Sequence, residues 1–319
     1  MSKEYRSNDK INQMINEGEL STNYGFKNYI INGAFDVWQR GTSFTNVVGG
    51  SQFTADRFNA GTSGTTSTIT HTSTMPSLLA GTSLRLVDAG NTYSNIRQRI
   101  EAISAKYLAN KKATLSYYIK SDKSVNCVSL VRHATAVDNY TGVTNIISVF
   151  TALTAGVWKK IELVMDVPAG ASNGIEVLLY GNYGSGASNG FNITQVQLEE
   201  GSVATPFEQR PYGLELSLCQ RYYEQSPALS GISGVKELLA ISTSALGGFH
   251  FLQTKRVAPS ISIYSRSGAV GKVSDMSTGV DSASVGINTI GATAFHYVSG
   301  SGFVVGHLYE ANYTASAEL

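Results

Sequence analysis

Tyr180, Asn182 and Tyr183 stand around a glycine- and serine-rich run, GNYGSGASNG at 181–190. Two phenol rings and an amide on an adaptable loop can stack on the apolar face of a flat ligand and bond its hydroxyls. Tyr93, with Asn95 two residues on, offers the same pairing at a second place. Trp38 lies beside Gln39 and Arg40, and Trp158 beside Lys159. Both suit sugar stacking, but a tryptophan in an alternating strand is more often core. Asp36 is the candidate metal ligand. With Asp56 it falls in an opening segment where carboxylates and backbone carbonyls could supply the roughly six to eight oxygens of a structural calcium. The competing reading leaves Asp36 an exposed strand carboxylate and pairs Asp56 with Arg57 or with backbone amides. No other cofactor is expected.

Covalent chemistry finds less support. Glu199, Glu200 and Glu208 could suggest a glycosidase pair, but neighbours along a strand point to opposite faces, so Glu199 and Glu200 cannot flank one bond. No GxSxG elbow is present. Cys127 and Cys219 stand far apart with no CxxC, and read as buried reduced thiols. The five histidines are scattered singly, without zinc spacing.

The elements that must position these groups are strands. Of 319 residues, 42% are hydrophobic, 10% aromatic and only 15% charged. Ser, Thr and Gly are abundant, a balance that favours β structure over helical bundles. The net charge of +1 comes without a basic cluster, which excludes nucleic acid as an expected partner. No apolar window is long enough for a membrane helix, and no membrane insertion is expected. The polar start MSKEYRSNDK lacks a signal-peptide core, so synthesis in a cytoplasm is expected.

The alternation predicts an all-β chain. Short strands are expected at 29–31 and 34–39, then at 84–87, 95–100, 113–120, 125–132, 145–152, 157–165, 174–180 and 191–198. The Ser/Thr run at 61–74 reads as a further strand pair. In 95–100, Ile96, Gln98 and Ile100 share one side. These strands make a jelly-roll β-sandwich over 26–208. At 209–227, Leu214, Leu218 and Tyr222 recur at four-residue spacing behind Pro211, predicting a linking helix whose stripe serves as a packing or oligomerisation face. A smaller C-terminal β domain follows at 228–319, with strands at 237–244, 248–255, 259–265, 269–274, 284–290, 292–298 and 302–311. Residues 1–25 read either as a polar attachment or oligomerisation segment, with a short helix capped by Asn8, or as a loosely ordered tail.

Several blocks resemble the tail-fibre and related receptor-binding proteins of tailed bacteriophages. The run 195–210 (QVQLEEGSVATPFEQR) is similar to the last strand of their carbohydrate-binding-module-like jelly roll. The helix that follows it in that family is matched by ELSLCQRYY at 215–223. The opening NYIINGAFDVWQRG at 28–41 and TADRF at 54–58 are similar to the module's start, with Phe58 where tryptophan is common. RVAP at 256–259 and NYTASAEL at 312–319 are similar to the closing domain. The resemblance implies a non-catalytic virion protein, a tail or head fibre, that forms a homotrimer and adheres to host-surface glycans. It also implies other virion proteins as partners, reached through the N-terminal segment. The alternative from another class is a structural decoration or connector whose jelly roll binds protein; a glycan-cleaving spike is a third.

Overall fold

The computed structural model describes residues 26–47, 52–62, 67–90, 93–183, 189–226, 236–282 and 284–319. The expected helix near Asn8 lies outside them. The described chain is all-β apart from short helices, and none of these is long and apolar enough to cross a membrane. Two compact units meet in sequence between Pro211 and Tyr212.

The first unit is a sandwich of two six-stranded antiparallel sheets. One has the order β1 (Ser43–Val47), β4 (Ser67–Thr72), β5 (Ser83–Asp88), β12 (Asn189–Glu200), β7 (Lys112–Ser121), β10 (Trp158–Asp166). The other runs β2 (Gln52–Phe53), β3 (Asn59–Thr62), β6 (Tyr93–Ile100), β11 (Ile175–Tyr183), β8 (Val125–Ala136), β9 (Asn139–Leu153). From β5 to β8 each successive strand changes sheet, as a jelly roll requires. The period of two fixes which side chains meet. Leu115, Tyr117 and Ile119 of β7 face Ile96 of β6, Val131 of β8 and Val177 and Leu179 of β11 in one core. Tyr117, fully buried, shares a 2.7 Å hydrogen bond with Ser129. Both cysteines are free and buried, and burial raises the Cys127 thiol pKa.

Two expected opening strands are instead a tightly folded loop. Asn32 and Phe35 have positive φ (60° and 59°), and the Asn32 side chain bonds the Val37 carbonyl at 2.8 Å and the Val37 amide at 2.9 Å. Apolar alternation alone could not reveal that local side-chain bonds outcompete a ladder here. This loop is sewn to the end of the sandwich: Asn28 Oδ1 accepts the amides of Ile30 and Leu198, and the Asn28 amide donates to Glu208 Oε2 at 2.7 Å. The blocks 28–41 and 195–210, remote in sequence, are therefore one belt. Strand β12 ends at Glu200, and 201–211 continue without regular structure.

In the second unit, helix α2 (Tyr212–Gln220) is shorter than expected and follows the single turn α1 (Ala102–Ala105) of the first. Its buried residues are Glu215, Cys219 and Gln220, whereas Leu214 and Leu218 are half-buried. Tyr222 is buried beyond the helix end, because β13 (Tyr223–Gln225) has already begun to pair with β20 (Leu308–Ser316). Strand β20 also pairs with β14 (Lys236–Ser242), β16 (Ser260–Tyr264) and β17 (Ser274–Asp275). The sheet extends from β14 through β15 (Ala245–His250) and β19 (Ala294–Ser299) to β18 (Gly286–Ile290). The strand expected at 302–311 starts later, since Gly302 and Gly306 take positive φ (77° and 86°) and turn the chain. Phe249, Phe295 and Tyr313 pack ring to ring in this core.

Candidate functional site

The outward face of the sheet β2-β3-β6-β11-β8-β9 collects the aromatic and polar groups of greatest interest. Because Ile96, Gln98 and Ile100 turn inward, Tyr93, Asn95, Arg97 and Arg99 of β6 turn outward. Directly paired residues share a face, so the register writes out the rows of this surface. Arg99, Glu176 and Arg132 form one row across β6, β11 and β8. Asn59, Arg97, Leu178, Leu130 and Ser148 form the next, and Asn95, Tyr180, Val128 and Phe150 the one after.

At one end of the face, Tyr93 and Tyr180 meet edge to face with centroids 5.9 Å apart. Tyr93 is 39% exposed, and Phe150, in the row of Tyr180, is 57% exposed. Asn95, opposite Tyr180, is 5% exposed, and its side-chain carbonyl has no hydrogen-bond partner among the described residues. At the other end the face is cationic. Glu176 is fully buried and accepts from Arg99 Nε at 2.9 Å and from Arg132 Nε. Arg99 also lies 4.8 Å over the Tyr140 ring, whose hydroxyl donates to the Ile100 carbonyl at 2.7 Å. Burial raises the Tyr140 pKa. Arg97 donates Nε to Asn59 Oδ1 at 3.1 Å, and Arg57 donates to the Arg99 carbonyl at 2.6 Å. Burial lowers the Arg97 pKa; Glu176 opposes this, and the neighbouring Arg99 and Arg132 add to it. Phe53, Arg57, Asn59, Arg97 and Arg99 are among the residues lining a small pocket here. This arrangement can stack, hydrogen-bond and hold negative charge.

No family model matches the chain, and no curated protein matches its sequence. Among solved structures, it is similar to the CBM22-1 xylan-binding domain of Paenibacillus barcinonensis Xyn10C, at 11% identity and TM-score 0.36, covering 56% of this chain and 100% of that one. TmCBM61 in complex with β-1,4-galactotriose is similar at 14% identity and TM-score 0.34, with 55% and 99% covered. The enzymatically active domain of bacteriophage CBA120 tailspike protein 4 is similar at 17% identity and TM-score 0.36. That match covers 54% of this chain, which spans 21% of the tailspike chain.

The residues singled out from sequence fall in different places. Tyr93 and Tyr180 come together, with Asn95 beside them. The backbone of Asn182 and Tyr183 continues β11 past a shift in register, pairing with Ser94 and Tyr93, but their side chains lie outside the described residues. Trp38 is on the opposite sheet's side of the sandwich, packed near Phe44 and His71 with its indole nitrogen donating to the Phe35 carbonyl at 2.6 Å. Trp158, half-buried on β10, carries Lys120 over its ring at 5.5 Å. Asp36 accepts from Thr82 at 2.8 Å and from Gln209 at 3.1 Å. Among the described residues no group of three or more His, Cys, Asp or Glu is placed to hold a metal. Asp56, buried, accepts from the Gln39 amide at 3.0 Å and has Arg40 at 3.6 Å. Glu199 is buried and fixes Thr205, accepting from its amide at 2.8 Å and its hydroxyl at 2.6 Å, whereas Glu200 pairs with Lys111 at 2.7 Å. The arginine row, Glu176, Asn59 and Phe150 were missed from sequence. Their signal was the other half of the alternation that put Ile96, Gln98 and Ile100 inside.

Proposed function

We propose that the first unit is a non-catalytic glycan-binding sandwich, and that the chain is a phage fibre protein that uses it to adhere to host-surface glycans. One observation supports the binding reading above others: the Tyr93–Tyr180 pair, with Phe150 nearby and the Asn95 carbonyl, unpartnered among the described residues, beneath it on one outward sheet face. Aromatic rings supply apolar stacking area at little entropic cost, and the buried amide is ready for a hydroxyl donor. The fibre assignment rests on the sequence blocks at 28–41, 54–58, 195–210 and 215–223; the blocks 28–41 and 195–210 form one belt in the fold. The carboxylates that could suggest hydrolysis have structural partners: Glu199 holds Thr205, and Glu208 accepts the Asn28 amide.

Single sugar sites bind weakly, so adhesion through three joined copies gains strength by effective concentration. The purified chain should bind a defined set of saccharides on a glycan array. Tyr93→Ala and Tyr180→Ala should each weaken that binding by roughly tenfold, the scale of losing one aromatic anchor. An array with no bound glycan, or undiminished binding by both variants, would overturn the reading.

A further inference from the structure

We propose that copies of this chain join through the outer face of the second unit's sheet, and that the occupant of that face is the same face of another copy. This surface belongs to the second unit alone, so it stands whether or not the first unit binds glycan. Strand register builds it. Leu239 of β14 pairs with Leu308 of β20. On the other side of β20, Tyr309 pairs with Asp275 of β17, and the next amide, that of Met276, donates to the Leu308 carbonyl at 3.0 Å. Directly paired residues share a face, so Leu239, Leu308 and Met276 make one row. Leu238 and Tyr309, their neighbours along the strands, turn inward and are buried in the core. Ile241 follows Leu239 by two residues and joins it on the outer face. Val305 comes alongside, because Gly306 donates its amide to the Ala240 carbonyl at 3.1 Å.

These five side chains are large, apolar and between 41% and 59% exposed. Together they leave roughly 400 Å² of apolar surface in one patch, the extent that marks an interaction site. A standard interface buries about 800 Å² per partner, a little over half of it apolar. The patch is therefore of the size that a stable association of two folded chains needs. It carries no charged group, so nothing in it calls for a charged partner. A polar row of Glu237, Glu310 and Ser274 bounds it. Beside Leu239, strand β15 carries Gly247, where an added Cβ would have only the Leu239 carbonyl within 4 Å, at 3.8 Å. A projecting leucine and an open hollow thus stand side by side, and a patch of that form fits its own copy when a symmetry axis passes through it. Burying it takes apolar area out of water, the dominant favourable contribution to association.

The test is sedimentation of the full chain over a range of concentrations, beside Leu239→Glu and Leu308→Glu. The unaltered chain should associate. Each variant should associate roughly hundredfold or more weakly, because a carboxylate would have to be buried in an apolar interface. Hydroxyl-radical footprinting of the unaltered chain at the highest concentration gives a readout that needs no substitution. Leu239, Leu308 and Met276 should then be protected like the core residues Leu238 and Tyr309. If a variant fails to fold, the footprint decides the matter alone. A chain that stays monomeric, folded variants that associate as tightly as the original, or a Met276 that reacts in the oligomer as an exposed side chain does would each overturn the assignment.

Discussion

Lys255 and Glu224 put opposite charges where no water reaches. Both side chains are 0% exposed, and Lys255 Nζ lies 2.5 Å from Glu224 Oε2 and 2.6 Å from the Gln220 carbonyl. Glu224 also accepts the Leu252 amide and the Tyr313 hydroxyl. Burial lowers the Lys255 pKa and the bond to Glu224 opposes it. Such a pair is costly to break one-sidedly, because the survivor is left charged and buried. Lys255→Met should therefore destabilise the second unit by about 3–5 kcal/mol, read as faster amide hydrogen exchange in β20. Pairing it with Glu224→Gln should recover part of the loss; unchanged exchange in the single variant would contradict this. Residues of this sort were silent in the sequence. A lone Lys255 looks like any surface lysine, and nothing local tells that Glu224, 31 positions away, will share its cavity. Tyr93 and Tyr180 were legible as candidate binders from their neighbours, yet their contact depends on the β6–β11 register.

Gly181 shows how an element can be shaped for a site. It sits in β11 where the register with β6 shifts between Tyr180 and Asn182. A Cβ added there would lie 2.0 Å from the Phe191 ring, which is fully buried in the core. Phe191 thus occupies the space that any larger residue would need, and the ladder bulges just past Tyr180. Gly181→Ala should cost about 1–3 kcal/mol by overpacking, seen in thermal unfolding. It should also weaken saccharide binding by displacing Tyr180; a variant of native stability and affinity would show that the close approach is relaxed at no cost. Strand positions were largely readable, since period-two alternation survives wherever one face is buried. Residues 29–39 defeated that logic. Ile30, Phe35 and Val37 are buried, but the backbone bonds are taken by Asn32 and by the belt from 195–210. The helix was foreseen; of the face read for it, Cys219 and Tyr222 are buried and Leu214 and Leu218 half-buried, while the burial of Glu215 had no signal in the spacing.

At the scale of the molecule, the proposed adhesion through weak sites would call for several copies. Sedimentation of the purified chain should give three times the 34.1 kDa chain mass; a monomer at high concentration would remove avidity from the mechanism. By itself the sequence determined the class of the fold and most of the places where strands run. Alternation, turn residues and low charge are local properties, and they hold whatever the strands later pair with. Which strands become neighbours was decided only by the tertiary structure. Pairing β6 with β11 and β11 with β8 joins residues 95–99, 128–132 and 176–180 into one surface. Its arginine row and its tyrosine pair exist because hydrogen-bonded neighbours share a face, a relation between distant segments that no stretch of sequence carries alone.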